Sequence, residues 1–269
     1  MNNLEKKMVD HLIDMKENHG VVAVKLEFEA EGTRMEEAMR LKEISLKAGL
    51  DLVVKIGGCE AMKDMFEAAS LGTKYMVAPM VESPFALRKY VEAIHTAFSE
   101  DQREDMDFFI NIETATAVEK FEQMLETKEL SSLSGIVIGR HDLVSSLDIP
   151  LDQINGQRVL DICLDIAAKA KRKHLKVVVG GAVSAHSKDF FLSFPAGHLD
   201  KFETRKIVFG CPKALENDAA SYLKAVEFEI DWLKNKKLYY GNIHKEGETR
   251  LAVMEGRYNA SIQKLRAGG

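Results

Sequence analysis

The chain is poor in the residues that would commit it to a specialised class. Three cysteines in 269 residues, Cys59, Cys163 and Cys211, are too few and too scattered for a disulfide framework or a thiolate metal site, and they fit a reducing compartment such as the cytoplasm. There is one tryptophan and only five prolines, so neither a repeat signature nor a proline-rich linker divides the sequence. No apolar run approaches the ~20 residues that cross a bilayer, and the first twenty residues are too charged for a secretion signal. Net charge is −5, which leaves no electrostatic footprint for nucleic acid. There is no G-x-G-x-x-G at a strand-to-helix turn and no P-loop, which weighs against a dinucleotide or nucleotide fold.

What is present is an ordinary globular composition, 46% hydrophobic and 29% charged, arranged in short apolar runs that alternate with helical patterns. The runs begin at Val21, Asp51, Lys74, Phe108, Ile136, Lys176 and Thr204. Strand–helix–strand repetition implies parallel neighbours and helical crossovers. The expected fold is α/β, a (β/α)8-type TIM barrel with seven clear strands where eight are needed. Residues 1–20 form an amphipathic helix covering the barrel, with Leu4, Met8, Leu12 and Met15 inside and Gly20 ending it. Residues 21–235 form the barrel, with a helix over 217–234. Residues 236–269 form a tail with a detached last helix from Glu248 to Leu265, whose Leu251, Val253 and Met254 need a partner surface. Helix starts are read at Ser83-Pro84 and, by capping-box spacing, at Thr116 with Glu119.

Two runs end in carboxylates: Phe108-Phe109-Ile110-Asn111-Ile112-Glu113 and Ile136-Val137-Ile138-Gly139-Arg140-His141-Asp142. Parallel strands bring Glu113 and Asp142 to one sheet edge, where two hard oxygen ligands suit Mg2+ or Mn2+; as ordinary loop acids they would do nothing of the kind. Lys25, Glu27 and Glu29 share one strand face, which in a barrel points into the mouth. Val53, Lys55 and Gly57 share another, so Lys55 faces inward near the C-terminal end and needs anionic company from Glu27, Glu29 or a substrate. Gly57 and Gly58 permit close approach of a ligand.

These segments, with Val77-Ala78-Pro79-Met80-Val81-Glu82-Ser83, resemble the HpcH/HpaI aldolase and citrate lyase β-subunit family over about residues 21–215. The resemblance implies a phosphoenolpyruvate/pyruvate-type barrel and a homo-oligomer. It also implies a divalent cation held by Glu113 and Asp142, and making or breaking of a C–C bond beside a 2-oxo acid through a metal-stabilised enolate, with an aldehyde as the other partner. An acyl-CoA lyase, or a barrel that binds metal and 2-oxo acid without turnover, are the alternatives. The family's Asp-Gly-Glu-His run is here Glu27-Phe28-Glu29-Ala30, without the His. Its Val-Arg-Pro is Val54-Lys55-Ile56, so Lys55 stands in for an arginine. Its Gly-Pro-x-Asp-Leu is Gly139-Arg140-His141-Asp142-Leu143. His141 is then a base near the metal or a surface histidine. Arg140 grips an anionic substrate or pairs with Glu82 or Glu113. Lys55 binds substrate oxygens, forms a Schiff base, or closes the mouth as a structural ion pair. Glu82 and Arg205 are further substrate-binding candidates, with Arg205 and Lys206 on opposite faces of the last strand. In this alignment the strand at Val21 matches the family's second, and its first is missing or replaced.

Overall fold

A computed structural model describes residues 1–216 and 220–267. The chain divides into two compact units, Met1–Glu229 and Ile230–Gly269.

The first unit opens with α1 (Asn3–His19), capped by Asn2 and Glu5 in a reciprocal box and ended by Gly20 at φ 71, a left-handed turn that glycine adopts without a Cβ penalty. Eight strands follow: β1 (Val21–Glu27), β2 (Asp51–Lys55), β3 (Tyr75–Ala78), β4 (Asp107–Ile112), β5 (Gly135–Gly139), β6 (Lys176–Gly180), β7 (Lys201–Glu203) and β8 (Ile207–Gly210). They close into a barrel in chain order. Between them run α2 (Met35–Lys47), α3 (Met62–Ser70), α4 (Pro84–Ala97), α5 (Glu100–Asp105), α6 (Ala115–Leu125), α7 (Arg140–Ser146), α8 (Gln157–Arg172) and α9 (Lys188–Leu192). Ser83 caps α4 through Ala86 N–H, with Pro84 at the first helical position. At α6 the cap is Thr114, not Thr116: its hydroxyl accepts from Ala117 N–H. The helix starts one residue after Glu113's neighbour, which fixes that carboxylate at the strand end.

The barrel has eight strands where the sequence pattern reveals seven. The run at Thr204–Phe209 is not a single strand. Thr204, Arg205 and Lys206 form a tight turn between β7 and β8, held by Thr204 N–H to Ile207 O at 2.9 Å and Ile207 N–H to the Thr204 hydroxyl at 3.1 Å. β7 pairs parallel with β6, and β8 runs antiparallel to both β7 and β1. The place between β7 and β1, where the family's first strand is expected, is therefore filled by a returning strand. A three-residue β7 lies below the length at which alternation is visible, which is why it escapes a sequence reading.

One inward side chain from each of seven strands makes an apolar plug: Ala23, Val53, Val77, Phe109, Val137, Val178 and Val208. Strand side chains alternate, so residues two further on face the same interior one layer higher. That layer carries Lys25, Lys55, Asn111, Gly139, Gly180 and, from β7, Glu203. The barrel interior is thus mainly apolar below and charged above.

The last helix, α10 (Ala220–Ala267), begins in the first unit and supplies the described part of the second. The detached final helix is not seen: α10 is continuous across Gly241, Gly247 and Gly256. Interior glycines cost about 1 kcal/mol each relative to alanine but do not end a helix as proline would, and no proline follows Pro212. The expected start at Asn217 lies outside the described residues. In the second unit Leu238, Ile243, Leu251, Met254 and Tyr258 are exposed.

Candidate active site

The C-terminal ends of the parallel strands surround a cavity of about 550 Å³. Its floor is the charged layer above the plug. Its walls are Glu27 at the end of β1, Glu29 and Ala30 just after it, Met80 after β3, Glu113 after β4, and His141 and Asp142 at the start of α7. Gly181 to Val183 after β6, Thr204 and Arg205 in the hairpin turn, and Val226 and Glu229 of α10 complete it.

Glu113 is buried, and three groups hold it. Oε1 accepts from Met80 N–H at 3.0 Å, Oε2 accepts from Asn111 Nδ2 at 2.6 Å, and the Lys55 ammonium stands 3.5 Å from Oε2. Met80 adopts φ 51, a left-handed conformation that a methionine holds only under constraint, and the strain aims its N–H at Glu113. Burial pushes the Glu113 carboxyl above its ordinary range; Lys55 and the two donors oppose the shift, and the charge of Asp142 adds to it. Asp142 is half-exposed on the same cavity, with its Oδ1 3.4 Å from His141 Nδ1.

Lys55 lies where strand parity puts it, with Nζ 2.8 Å from Glu29 Oε2 and its side chain 8% exposed. Beside it Lys25 Nζ is 2.5 Å from Glu203 Oε1 and 2.9 Å from Glu27 Oε1. Burial disfavours both ammonium ions, but Glu203 and Glu27 at Lys25, and Glu113 and Glu29 at Lys55, outweigh it and hold both above the usual lysine range. The mouth is an alternating chain of carboxylates and ammonium ions. Buried charge is tolerated there because each member has opposite company.

Other expected residues lie elsewhere. Arg140 pairs with neither Glu82 nor Glu113. Its guanidinium is fully buried, donating to Gly180 O at 3.2 Å, Gly181 O at 2.9 Å and Asn155 Oδ1 at 2.8 Å, and lying 4.5 Å over the Phe190 ring. Burial lowers it to about 10. It ties down the β6 loop, where Gly181 at φ 87 packs so close to His141 N that a Cβ would sit 2.4 Å from it. Gly57, Gly58 and Glu82 do not line the cavity. Gly57 N–H donates to Asp64 Oδ2 at 2.7 Å, and Glu82 Oε1 accepts from the Thr114 hydroxyl at 2.6 Å. Arg205 lines the rim, with Nε 3.6 Å from Glu229 Oε1, but in the turn rather than on a strand. Lys206, beside it, is buried against Glu31. Sequence reading passes over Asn111 and Glu203 as site members. Asn111 is signalled only by being polar at inward parity in an apolar run, and Glu203 by nothing local.

Two converging carboxylates with hard oxygens suit Mg2+ or Mn2+. Among the described residues no His, Cys, Asp or Glu joins them to make a cluster of three. Burial first, and the charge of Asp142 second, raise Glu113; a divalent cation held by the two carboxylates would offset both, so the donor set fits a metal whose remaining positions belong to water or substrate.

An eight-stranded barrel with paired carboxylates and lysines at the C-terminal mouth is the architecture of barrel enzymes, whose chemistry sits at that face. The chain belongs to the HpcH/HpaI aldolase/citrate lyase family, whose model matches residues 12–189. It is therefore placed among carbon–carbon lyases and aldolases, a family generally dependent on divalent metal. No curated protein matches it in sequence. Among solved structures it is similar to citrate synthase SbnG, with a TM-score of 0.60 and 14% identity over 85% of this chain and 89% of that one. It is similar to an HpcH/HpaI aldolase from Desulfitobacterium hafniense DCB-2 (0.57, 17%, 68% and 77%). A family protein from Burkholderia cenocepacia J2315 matches comparably (0.57, 15%, 87% and 100%). At such identities the likeness carries the fold. Among the described residues no helix is long and apolar enough to cross a membrane.

Proposed function

We propose that the protein is a divalent-metal-dependent lyase that makes or cleaves a C–C bond beside the keto group of a 2-oxo acid. The observation that carries this is the meeting of Glu113, Asp142 and Lys55 on one cavity at the barrel mouth. Glu113 and Asp142 would hold Mg2+ or Mn2+, which when bound supplies Lewis-acid polarisation of a keto oxygen. Lys55 stands beside them as a fixed positive charge for the substrate carboxylate. The carboxylates around Lys55 keep it protonated, which supports an electrostatic role over a Schiff base, since a nucleophilic lysine needs a lowered pKa. Lysine supplies the charge without the bidentate fork of arginine, so orientation of the carboxylate falls to its neighbours. His141, exposed at the rim and within 3.4 Å of Asp142, is the proton-transfer group of this reading. Arg205 at the rim meets the distal part of the substrate.

The protein works in this reading as a cytoplasmic homo-oligomer, with the exposed apolar residues of the second unit buried between copies; light scattering at micromolar concentration reads this directly. The catalytic reading is tested by incubating the protein with pyruvate in deuterated water, with and without Mg2+ or Mn2+, and following the methyl protons by NMR. Metal-dependent exchange that disappears in Glu113→Gln is expected. Absence of exchange across a panel of 2-oxo acids, with the protein folded, rejects it.

A further inference from the structure

The mouth has two facing walls. In a barrel closed in chain order, β4 and β5 stand across the ring from β8 and β1. Glu113, Asp142 and His141 belong to the first wall. The second is built from the end of β1, the turn between β7 and β8 and the first turns of α10, which bring Glu27, Arg205 and Glu229 to the cavity.

Most ionisable groups on the cavity are already engaged. Lys25, Glu27 and Glu203 close one ion cluster, and Lys55 takes Glu29 and Glu113. Glu229 is held more loosely. Its side chain is 28% exposed, and Arg205 Nε stands 3.6 Å from its Oε1, beyond hydrogen-bond length. Arg205 therefore gives this carboxylate a charge partner without occupying its lone pairs. Burial raises the Glu229 carboxyl above its ordinary range; Arg205 and then Lys206 oppose the shift, and Glu31 and Glu27 add to it. A carboxylate moved toward neutral pH is a better proton acceptor than one at its ordinary value.

The proposed reaction needs such a group. Cleaving a 4-hydroxy-2-oxo acid takes the proton from the C4 hydroxyl and turns C4 into an aldehyde carbonyl. The electron pair of the C3–C4 bond is left on C3, which then takes a proton. A substrate held by its 2-oxo acid end at Glu113 and Asp142 keeps C3 beside the first wall, where His141 stands. The C4 hydroxyl then falls to the second wall. Arginine does not act as a base there, because its guanidinium stays protonated, and Glu229 is an uncommitted carboxylate.

We infer that Glu229 is the general base that takes the C4 hydroxyl proton in cleavage, and gives it back to the aldehyde oxygen in synthesis, from the wall opposite Glu113 and Asp142. The inference rests on the 2-oxo acid reading above and adds the residue that separates bond cleavage from proton exchange at C3.

Two activities are compared on the same protein in saturating Mg2+: release of aldehyde from 4-hydroxy-2-oxopentanoate and 4-hydroxy-2-oxoglutarate, and exchange of the pyruvate methyl protons in deuterated water. The first alone moves a C4 hydroxyl proton. General-base catalysis contributes about 10²–10⁴-fold, so Glu229→Gln is expected to slow aldehyde release by about 100-fold or more while methyl exchange falls by less than about threefold. Arg205→Met removes the cation that lowers Glu229. The Glu229 carboxyl, followed by 13C NMR titration, and the acidic limb of kcat/KM for cleavage are expected to move together to higher pH. If Glu229→Gln does not fold, Glu229→Asp withdraws the carboxylate by one methylene and is expected to separate the two activities by about tenfold or more. Cleavage near wild type in the Glu229 variant, loss of both activities in proportion, or an acidic limb that does not follow Glu229 overturns the inference. So does a wild-type protein that exchanges pyruvate protons but cleaves neither hydroxy acid. Each of these leaves the 2-oxo acid reading standing. Absence of exchange from the wild-type protein removes that reading and the inference with it.

Discussion

Lys55→Met removes one ammonium from between two carboxylates while nearly conserving the volume of its aliphatic stem. Glu29 is 27% exposed and regains water, but Glu113 is 2% exposed and keeps only Met80 N–H and Asn111 Nδ2 as donors. Removing one partner of a buried pair typically costs about 3–5 kcal/mol. With one carboxylate re-solvated and the other still hydrogen-bonded, the expected loss is at or just below the bottom of that range, about 2–3 kcal/mol in urea unfolding at neutral pH. The geometry therefore joins two outcomes that sequence reasoning sets apart: Lys55 is paired with buried carboxylates and also lines the cavity proposed to take the substrate. A lost charge-assisted hydrogen bond is worth about 1.5–3 kcal/mol, so affinity for a 2-oxo acid in the presence of Mg2+ is expected to fall about 10–100-fold per folded molecule. Folded fraction is measured by circular dichroism and affinity by calorimetry on the same samples. A variant that melts early yet binds and turns over normally per folded molecule refutes the placement of Lys55 against substrate.

Arg140→Leu strands Gly180 O, Gly181 O and Asn155 Oδ1 while removing a desolvated charge. The net expectation is a loss of about 2 kcal/mol, read by thermal melting, and an unchanged melt would mean that the β6 loop needs no tie. Burial favours the protonated form of Glu27, but Lys25 outweighs it and holds the carboxyl below its ordinary range. A depressed folded pKa means stability that is present above the unfolded value, near 4.3, and lost as pH falls through the folded value. Melting temperatures of Glu27→Gln are therefore expected to lie below wild type at pH 7 and to converge on it toward pH 3, and a constant gap across that range contradicts the sign.

Much of the site was legible because parallel-strand geometry is local arithmetic. Once Val53, Phe109 and Val137 are inward, so are Lys55, Asn111 and Gly139 two residues later, and strands ending at Glu113 and Gly139 carry their acids to one edge. The same arithmetic assigned Lys25 and Glu27 to the mouth. It failed where an element is too short to show a period, as at Lys201–Glu203, and there Arg205 and Lys206 moved from a strand into a turn. It failed also at Arg140. Sequence neighbours can say that a cation follows a strand, but whether its guanidinium meets a substrate or the carbonyls of Gly180 and Gly181 depends on a loop forty residues away.

By itself, then, the order of residues determined most of the alternation of strands and helices, the facing of the first two strands and the family, because these follow from periods of two and 3.6 and from short motifs. Tertiary structure alone decided the closing of the barrel by an antiparallel β8, the pairing of Lys25 with Glu203 across 178 positions, and the burial of Arg140 against the Gly180 and Gly181 carbonyls. Each depends on which distant groups share a desolvated space, where a charge or a lone pair must find its partner in three dimensions or go without.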